Sequence, residues 1–229
     1  MLYNPTMSVL QFLFIGFGLG VKHAFEADHV AAVSTFSART HSFKKSILTG
    51  IVWGVGHTIV LLVAGLVVLL FKVRIPDHVS VILEFGVGIM LVFLGIRTLR
   101  IKDEIHAHSH NHEGGIKHTH QHLHTREPRG YLSTFIVGSI HGLAGSGSFM
   151  LIFLSNIQKL LTGLTYILIF GLGSIGAMAL MSFVISIPVV VGSKSHNKVE
   201  RYIRMLSGLI STLLGLYIMY EIGLVEQGF

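Results

Sequence analysis

Lys22-His23-Ala24-Phe25-Glu26-Ala27-Asp28-His29 sets five ionisable side chains inside a run, roughly residues 8–36, that is otherwise apolar enough to cross a bilayer. A charged group near the bilayer centre costs at least about 2.5–3.5 kcal/mol, so several together require partners, water or a bound ion. On a regular helix, successive residues turn by about 100°, so His23 and Asp28 lie some 140° apart and His29 lies about 120° from His23 on the other side. One unbroken helix cannot aim all three at one point. Either the helix unwinds between Ala24 and Ala27, or the three side chains share their partners with water and other helices. Discontinuous helices are a recurrent feature of ion sites at membrane depth.

The rest of the chain supports a membrane setting. Of 229 residues, 51% are hydrophobic and 12% charged, the mean hydropathy is +0.69, and soluble domains carry about 25% charged residues. Apolar runs recur at roughly 8–36, 46–71, 79–99, 131–155, 163–191 and 203–222, each near or above the roughly 20 residues a spanning helix needs. The reading is an all-α membrane protein with six transmembrane helices, the first discontinuous. The first and fifth runs are too long for a perpendicular helix and predict tilt or a break.

Loop charges set an orientation. Thirteen of the seventeen Lys and Arg residues fall in the loops around 37–45, 97–130 and 193–204, three (Lys72, Arg74, Lys159) fall on the other side, and Lys22 lies within the first run. The rich side is expected in the cytoplasm, with both termini outside. The same distribution accounts for the net charge of +6 without nucleic acid as a partner. Cysteine is absent, which excludes thiolate ligands and disulfide exchange and points away from Cu(I). No P-loop and no H-E-x-x-H element is present, so neither ATP-driven transport by this chain alone nor a zinc protease is expected. The chain reads as a non-enzyme.

Three features of the first half recur in the second at offsets of 117 to 120 residues. Gly20-Val-Lys-His23 aligns with Gly138-Ser-Ile-His141, Gly54-Val-Gly56 with Gly171-Leu-Gly173, and Gly88 and Gly95 with Gly208 and Gly215. Three spans per half would make the copies inverted repeats, the arrangement of many secondary transporters with a site at the midplane. The organisation expected is 1–102 as the first half, 103–129 as a cytoplasmic loop and 130–229 as the second half. Gly16, Gly18, Gly20, Gly171, Gly173 and Gly176 are expected at close helix contacts.

Imidazole with carboxylate suits nickel, cobalt or zinc, which makes His23, Asp28 and His29 candidate ligands. His57, in Gly56-His57-Thr58 of the second span, is a further candidate. Glu26 and Glu84 are candidate proton carriers, outer partners of ligand histidines, or ion-pair partners of Lys22. His141 is a further candidate outer partner or proton carrier, and as a lone histidine it is as readily a hydrogen-bonded interior residue as a ligand. Between the third and fourth spans, His106, His108, His110, His112, His118, His120, His122 and His124 alternate with other residues and hold eight of the fifteen histidines. A polar tract of this kind has no core to pack against and reads as a mobile metal buffer.

The His23-x4-Asp28-His29 element followed by Gly56-His57-Thr58 resembles the signature of the nickel/cobalt transporter family. The six-span length with His141-Gly-Leu-Ala-Gly145 is similar to its short urease-accessory-type nickel permeases. The resemblance implies Ni(II) or Co(II) as transported substrate, with no prosthetic group, ligated by His23, Asp28, His29 and His57. Uptake across the cytoplasmic (inner) membrane is the expected direction, with a cytoplasmic nickel acceptor protein as a candidate partner. Two alternatives stay open: a nickel/cobalt exporter, and a membrane metallochaperone that hands nickel to enzyme assembly.

Overall fold

In the computed structural model, residues 9–38, 40–72, 76–101, 105–111, 117–123, 130–143, 160–192 and 197–226 are described. Among them run seven helices and one hairpin: α1 (Val9–Ala24), α2 (Ala27–Ser37), α3 (Phe43–Phe71), α4 (Asp77–Leu99), β1 (Ile105–Asn111), β2 (Lys117–Leu123), α5 (Tyr131–Leu143), α6 (Leu160–Gly192) and α7 (Asn197–Glu226). Four helices, α3, α4, α6 and α7, are long and apolar enough to cross a membrane. The bundle is built inside out relative to a soluble core. Phe14, Phe71, Leu132 and Leu161 are each about 70% exposed or more, while Ser174, Ser182, Ser186, Ser211, His57 and His141 are fully buried. Water does not tolerate so wide an apolar exterior; lipid does. The chain is a multi-pass membrane protein.

The expected first span is two helices. Its ladder gives way at Phe25 and Glu26, whose N–H groups bond back only three residues, to the carbonyls of Lys22 and His23, both at 3.0 Å. Glu26 is extended (φ −64°, ψ 149°) and caps α2. No proline or glycine is responsible; the break falls where the ionisable residues crowd. The expected fourth span, 131–155, is described only as α5, which runs 13 residues to Leu143, and the remainder lies outside the described residues. The fifth is not broken: α6 continues for 33 residues through Pro188, a length of about 50 Å at 1.5 Å per residue. That exceeds a hydrocarbon core of about 30 Å, so tilt or protrusion takes up the excess.

α3 packs along α6 and α5, α1 along α6, and α4 along α7, while α2 is wedged among α4, α6 and α7. Small residues permit these approaches. A Cβ at Gly95 would stand 2.6 Å from the Gly208 carbonyl oxygen, and one at Gly88 would stand 3.0 Å from that of Gly215. Gly20 abuts the Phe170 carbonyl and Gly138 the Trp53 carbonyl. Gly18 and Gly176, expected at such contacts, face no atom within 4 Å.

The histidine-rich tract departs from the loop expected of it. Strict alternation is also the two-residue period of a strand, and β1 and β2 pair antiparallel with His106 opposite His122, His108 opposite His120 and His110 opposite His118. His112 and His124 lie outside the described residues.

Candidate metal centre

The break between α1 and α2 brings His23, at the end of one helix, beside Asp28 and His29, in the first turn of the next. Helix C-termini carry partial negative charge and favour cations, so α1 presents both an imidazole and a favourable dipole at this point. Asp28 opens α2, and its Oδ1 accepts the His29 backbone N–H at 2.8 Å, a first-turn carboxylate of the kind helix N-termini favour.

Two further helices supply the rest. His57 sits mid-way along α3, and His141 lies in the last turn of α5. Gly142 sets their approach: a Cβ there would stand 2.6 Å from the His57 carbonyl oxygen and 3.0 Å from its Cα. All four imidazoles are buried, with exposures of 4% for His23, 1% for His29 and 0% for His57 and His141. Trp53 lies edge-on to His141 at 5.7 Å between ring centres, and Phe170 lies 5.3 Å from His23. These rings pack directly against the cluster.

The polar contacts form a continuous set. His23 Nδ1 donates to Glu26 Oε2 at 3.1 Å, which leaves the lone pair of a neutral His23 on Nε2. That Nε2 stands 3.2 Å from His57 Nε2. His29 Nδ1 donates to Asp28 Oδ1 at 3.0 Å, and His141 Nε2 donates to Asp28 Oδ2 at 3.0 Å. His141 Nε2 and His29 Nδ1 are 3.3 Å apart. Two ligand nitrogens about 2.0–2.1 Å from one ion, the distances known for zinc, stand about 2.9–3.4 Å apart at bond angles of 90–109°. The 3.2 Å spacing suits either a shared proton or two ligands of one ion; the 3.3 Å spacing, between two nitrogens that both donate to Asp28, suits two ligands of one ion once their protons have left. Three ring nitrogens, His29 Nε2, His57 Nδ1 and His141 Nδ1, are buried with no hydrogen-bond partner among the described residues. Such groups call for an explanation.

Potential ligand atoms fall into two groups, His23-His29-His57 and Asp28-His29-His141, with the atoms of each lying within 4.8 Å of one another. The structure thus draws together His23, Asp28, His29 and His57, and adds His141.

Residues 57–217 match the family model described as the cytochrome c biogenesis protein transmembrane region. The urease accessory protein UreH of Bacillus sp. (strain TB-90) is 38% identical over 226 residues, spanning 96% of this chain and 95% of its own. The chain belongs to this transmembrane family and is of the UreH urease accessory type. Two Arabidopsis thaliana proteins also match: chloroplast protein FOR GROWTH AND FERTILITY 2 is 30% identical over 228 residues, and FOR GROWTH AND FERTILITY 1 is 27% identical over 216 residues. The alignments cover 92% and 88% of this chain and 56% of each of theirs. No solved structure matches. The UreH relative is named as an accessory protein and not as an enzyme.

In this UreH-type chain, Glu84 does not join the buried cluster. It lines a cavity of about 480 Å³ with Glu26, Asp28 and Glu221, walled by apolar residues of α4 and α7. Glu221 went unmarked in the sequence because it lies in the last turns of a terminal helix, where a charged residue is ordinary. Trp53 was visible only as a neighbour of the Gly54-Val-Gly56 element. His141 carried two sequence signals, its alignment with His23 in the glycine repeat and its place in the His141-Gly-Leu-Ala-Gly145 stretch.

Proposed function

We propose that this UreH-type chain is a permease that carries Ni(II), with Co(II) as the nearest competitor, inward across the cytoplasmic membrane. The observation that carries the reading is the His23–His57 pair: two imidazole nitrogens from different helices, 3.2 Å apart and buried within the bundle, with Asp28 and His29 beside them. Several imidazoles and a carboxylate gathered at that depth are costly to bury, and a cation that uses them offsets the cost. Kinship with a urease accessory protein supports nickel over zinc, because urease assembly requires nickel. No P-loop is present in the sequence, so the chain acts as a secondary permease unless a separate subunit couples ATP.

The ion is held near the midplane while two inverted three-helix halves, 1–102 and 130–229, rock around it. Reciprocal contacts support this symmetry. Gly88 meets Gly215 where Gly95 meets Gly208, and Gly20 meets Phe170 where Gly138 meets Trp53; each pair maps onto its fellow at offsets of 117 to 120. Thirteen cationic residues on one side support a cytoplasmic loop 103–129 and outward termini. The histidine hairpin within that loop then buffers arriving ions for a cytoplasmic acceptor protein.

Nickel accumulation in cells expressing the chain tests the reading. His23→Ala, Asp28→Asn and His29→Ala should each reduce uptake to background, and retained uptake in all three would end it. Expression that lowers cell nickel would point to export instead. Unchanged cell nickel with impaired urease maturation on loss of the hairpin would point to hand-over without transport. Because imidazoles bind metal only when neutral, uptake should also weaken at sufficiently acid pH.

A further inference from the structure

His29 stands between two sets of ligands. Its ring centre is 4.4 Å from that of His23 and 4.2 Å from that of His141, whereas His57 and His141 are 6.3 Å apart. Its Nδ1 faces Asp28 and His141 at 3.0 and 3.3 Å, and its Nε2 is buried with no hydrogen-bond partner among the described residues. An imidazole has two nitrogens with diverging lone-pair directions, so a single ring can serve an ion on either flank.

Resting on the permease reading, we propose that the ion occupies two successive positions that share His29. Asp28, His29 Nδ1 and His141 form a receiving position, loaded from the carboxylate-lined cavity. His23, His29 and His57 form an inner position reached from it.

The cavity supplies the route. At about 480 Å³, it exceeds the roughly 180 Å³ that six waters occupy at about 30 Å³ each, so a hydrated divalent ion fits. Its carboxylates are Glu84, Glu221, Glu26 and Asp28, the last also bonded to His141 of the cluster, and no lysine or arginine among the described residues lines it. Side-chain exposure falls from 38% at Glu26 to 17% at Asp28 and 1% at His29. An ion moving inward exchanges water for carboxylate oxygen, and then for imidazole nitrogen. Asp28 belongs to both the cavity and the receiving position, which makes it the transfer point. Glu84 lies two turns from the start of α4, and Glu221 lies near the end of α7. On the loop-charge reading both ends are outward, as a route for uptake requires.

Co(II), whose visible spectrum reports its coordination, is the probe, bound to the purified full chain in detergent. Loss of one position should leave the other, so His57→Ala and His141→Ala should each still bind Co(II), within about tenfold of the parent affinity, with spectra that differ from the parent and from each other. His29→Ala should weaken binding by more than about a hundredfold. Glu84→Gln with Glu221→Gln should slow Co(II) loading about tenfold while leaving the saturated spectrum unchanged. Abolition of binding by either His57→Ala or His141→Ala, in protein that still melts cooperatively, would mean one position and overturn the proposal. An unchanged loading rate in the double glutamine variant would overturn the route. His57→Gln and His141→Gln replace any alanine variant that does not fold. Failure of the parent chain to bind or move metal at all is a separate result, and it would sink the permease reading.

Discussion

Histidine is concentrated in two regions of this molecule, and the regions use it in opposite ways. In the buried cluster, four imidazoles come from separate places in the sequence, each no more than 4% exposed, and are fixed by Asp28, Glu26 and close glycine contacts. In the β1–β2 hairpin, histidines recur at every second position of both strands and lie opposite one another in register. The first arrangement spends burial and packing on the placement of a few ligands. The second multiplies ligands without placing them inside the bundle. On the permease reading, geometry carries selectivity and passage, whereas number carries capacity.

The sharpest way to break this contrast is to remove each region in turn. Asp28→Asn should reduce nickel uptake to background, while deletion of residues 105–124 should change it only a few-fold and chiefly lower the number of ions bound per chain. Equal losses from both, measured as radioactive nickel accumulation, would erase the distinction. A smaller effect is expected from Gly142→Ala. Its new Cβ would meet the His57 carbonyl at 2.6 Å, and because backbone cannot yield cheaply, about 1–3 kcal/mol of stability should be lost, with uptake falling as His141 is pushed from His29. Thermal melting beside transport reads both.

The smallest effect lies outside the cluster. His41, between α2 and α3, pairs with Glu200 Oε1 at 3.4 Å, with Arg204 3.8 Å from the same oxygen. The hydrogen bond to Glu200 raises the His41 pKa above its usual value, with burial opposing. A raised folded-state pKa means the stabilisation is complete below the unfolded value of about 6.5 and is lost as pH rises through the folded value. His41 is 37% exposed, so solvent screening limits the effect to a few tenths of a kcal/mol. Melting temperatures of the parent and His41→Gln should therefore converge as pH rises from about 6 to 8.

Much of this was legible because the bilayer makes polarity conspicuous. Five ionisable residues in an apolar run left a helix break between Ala24 and Ala27 as one of two readings, and a break falls at Phe25 and Glu26. The glycine offsets paired residues that the fold then places in reciprocal contacts. His141 was legible as a candidate outer partner through its alignment with His23, but not as a partner of Asp28 in particular, because only the packing of α5 brings together two residues 113 positions apart. Glu221 reaches the cavity only through the packing of α7 on α4, which sequence does not display. The hairpin was legible in principle, since H-x-H-x-H has the period of a strand, but low hydrophobicity concealed it.

The central claim is that the buried cluster itself ligates the metal. Nickel X-ray absorption on the chain lacking residues 105–124 tests it directly, because the hairpin histidines are then gone. The account predicts retained nickel with the multiple-scattering signature of two or three imidazoles and additional oxygen ligands, lost in His29→Ala. Retained nickel with oxygen scattering alone, or no nickel retained by a protein that remains folded, would contradict it.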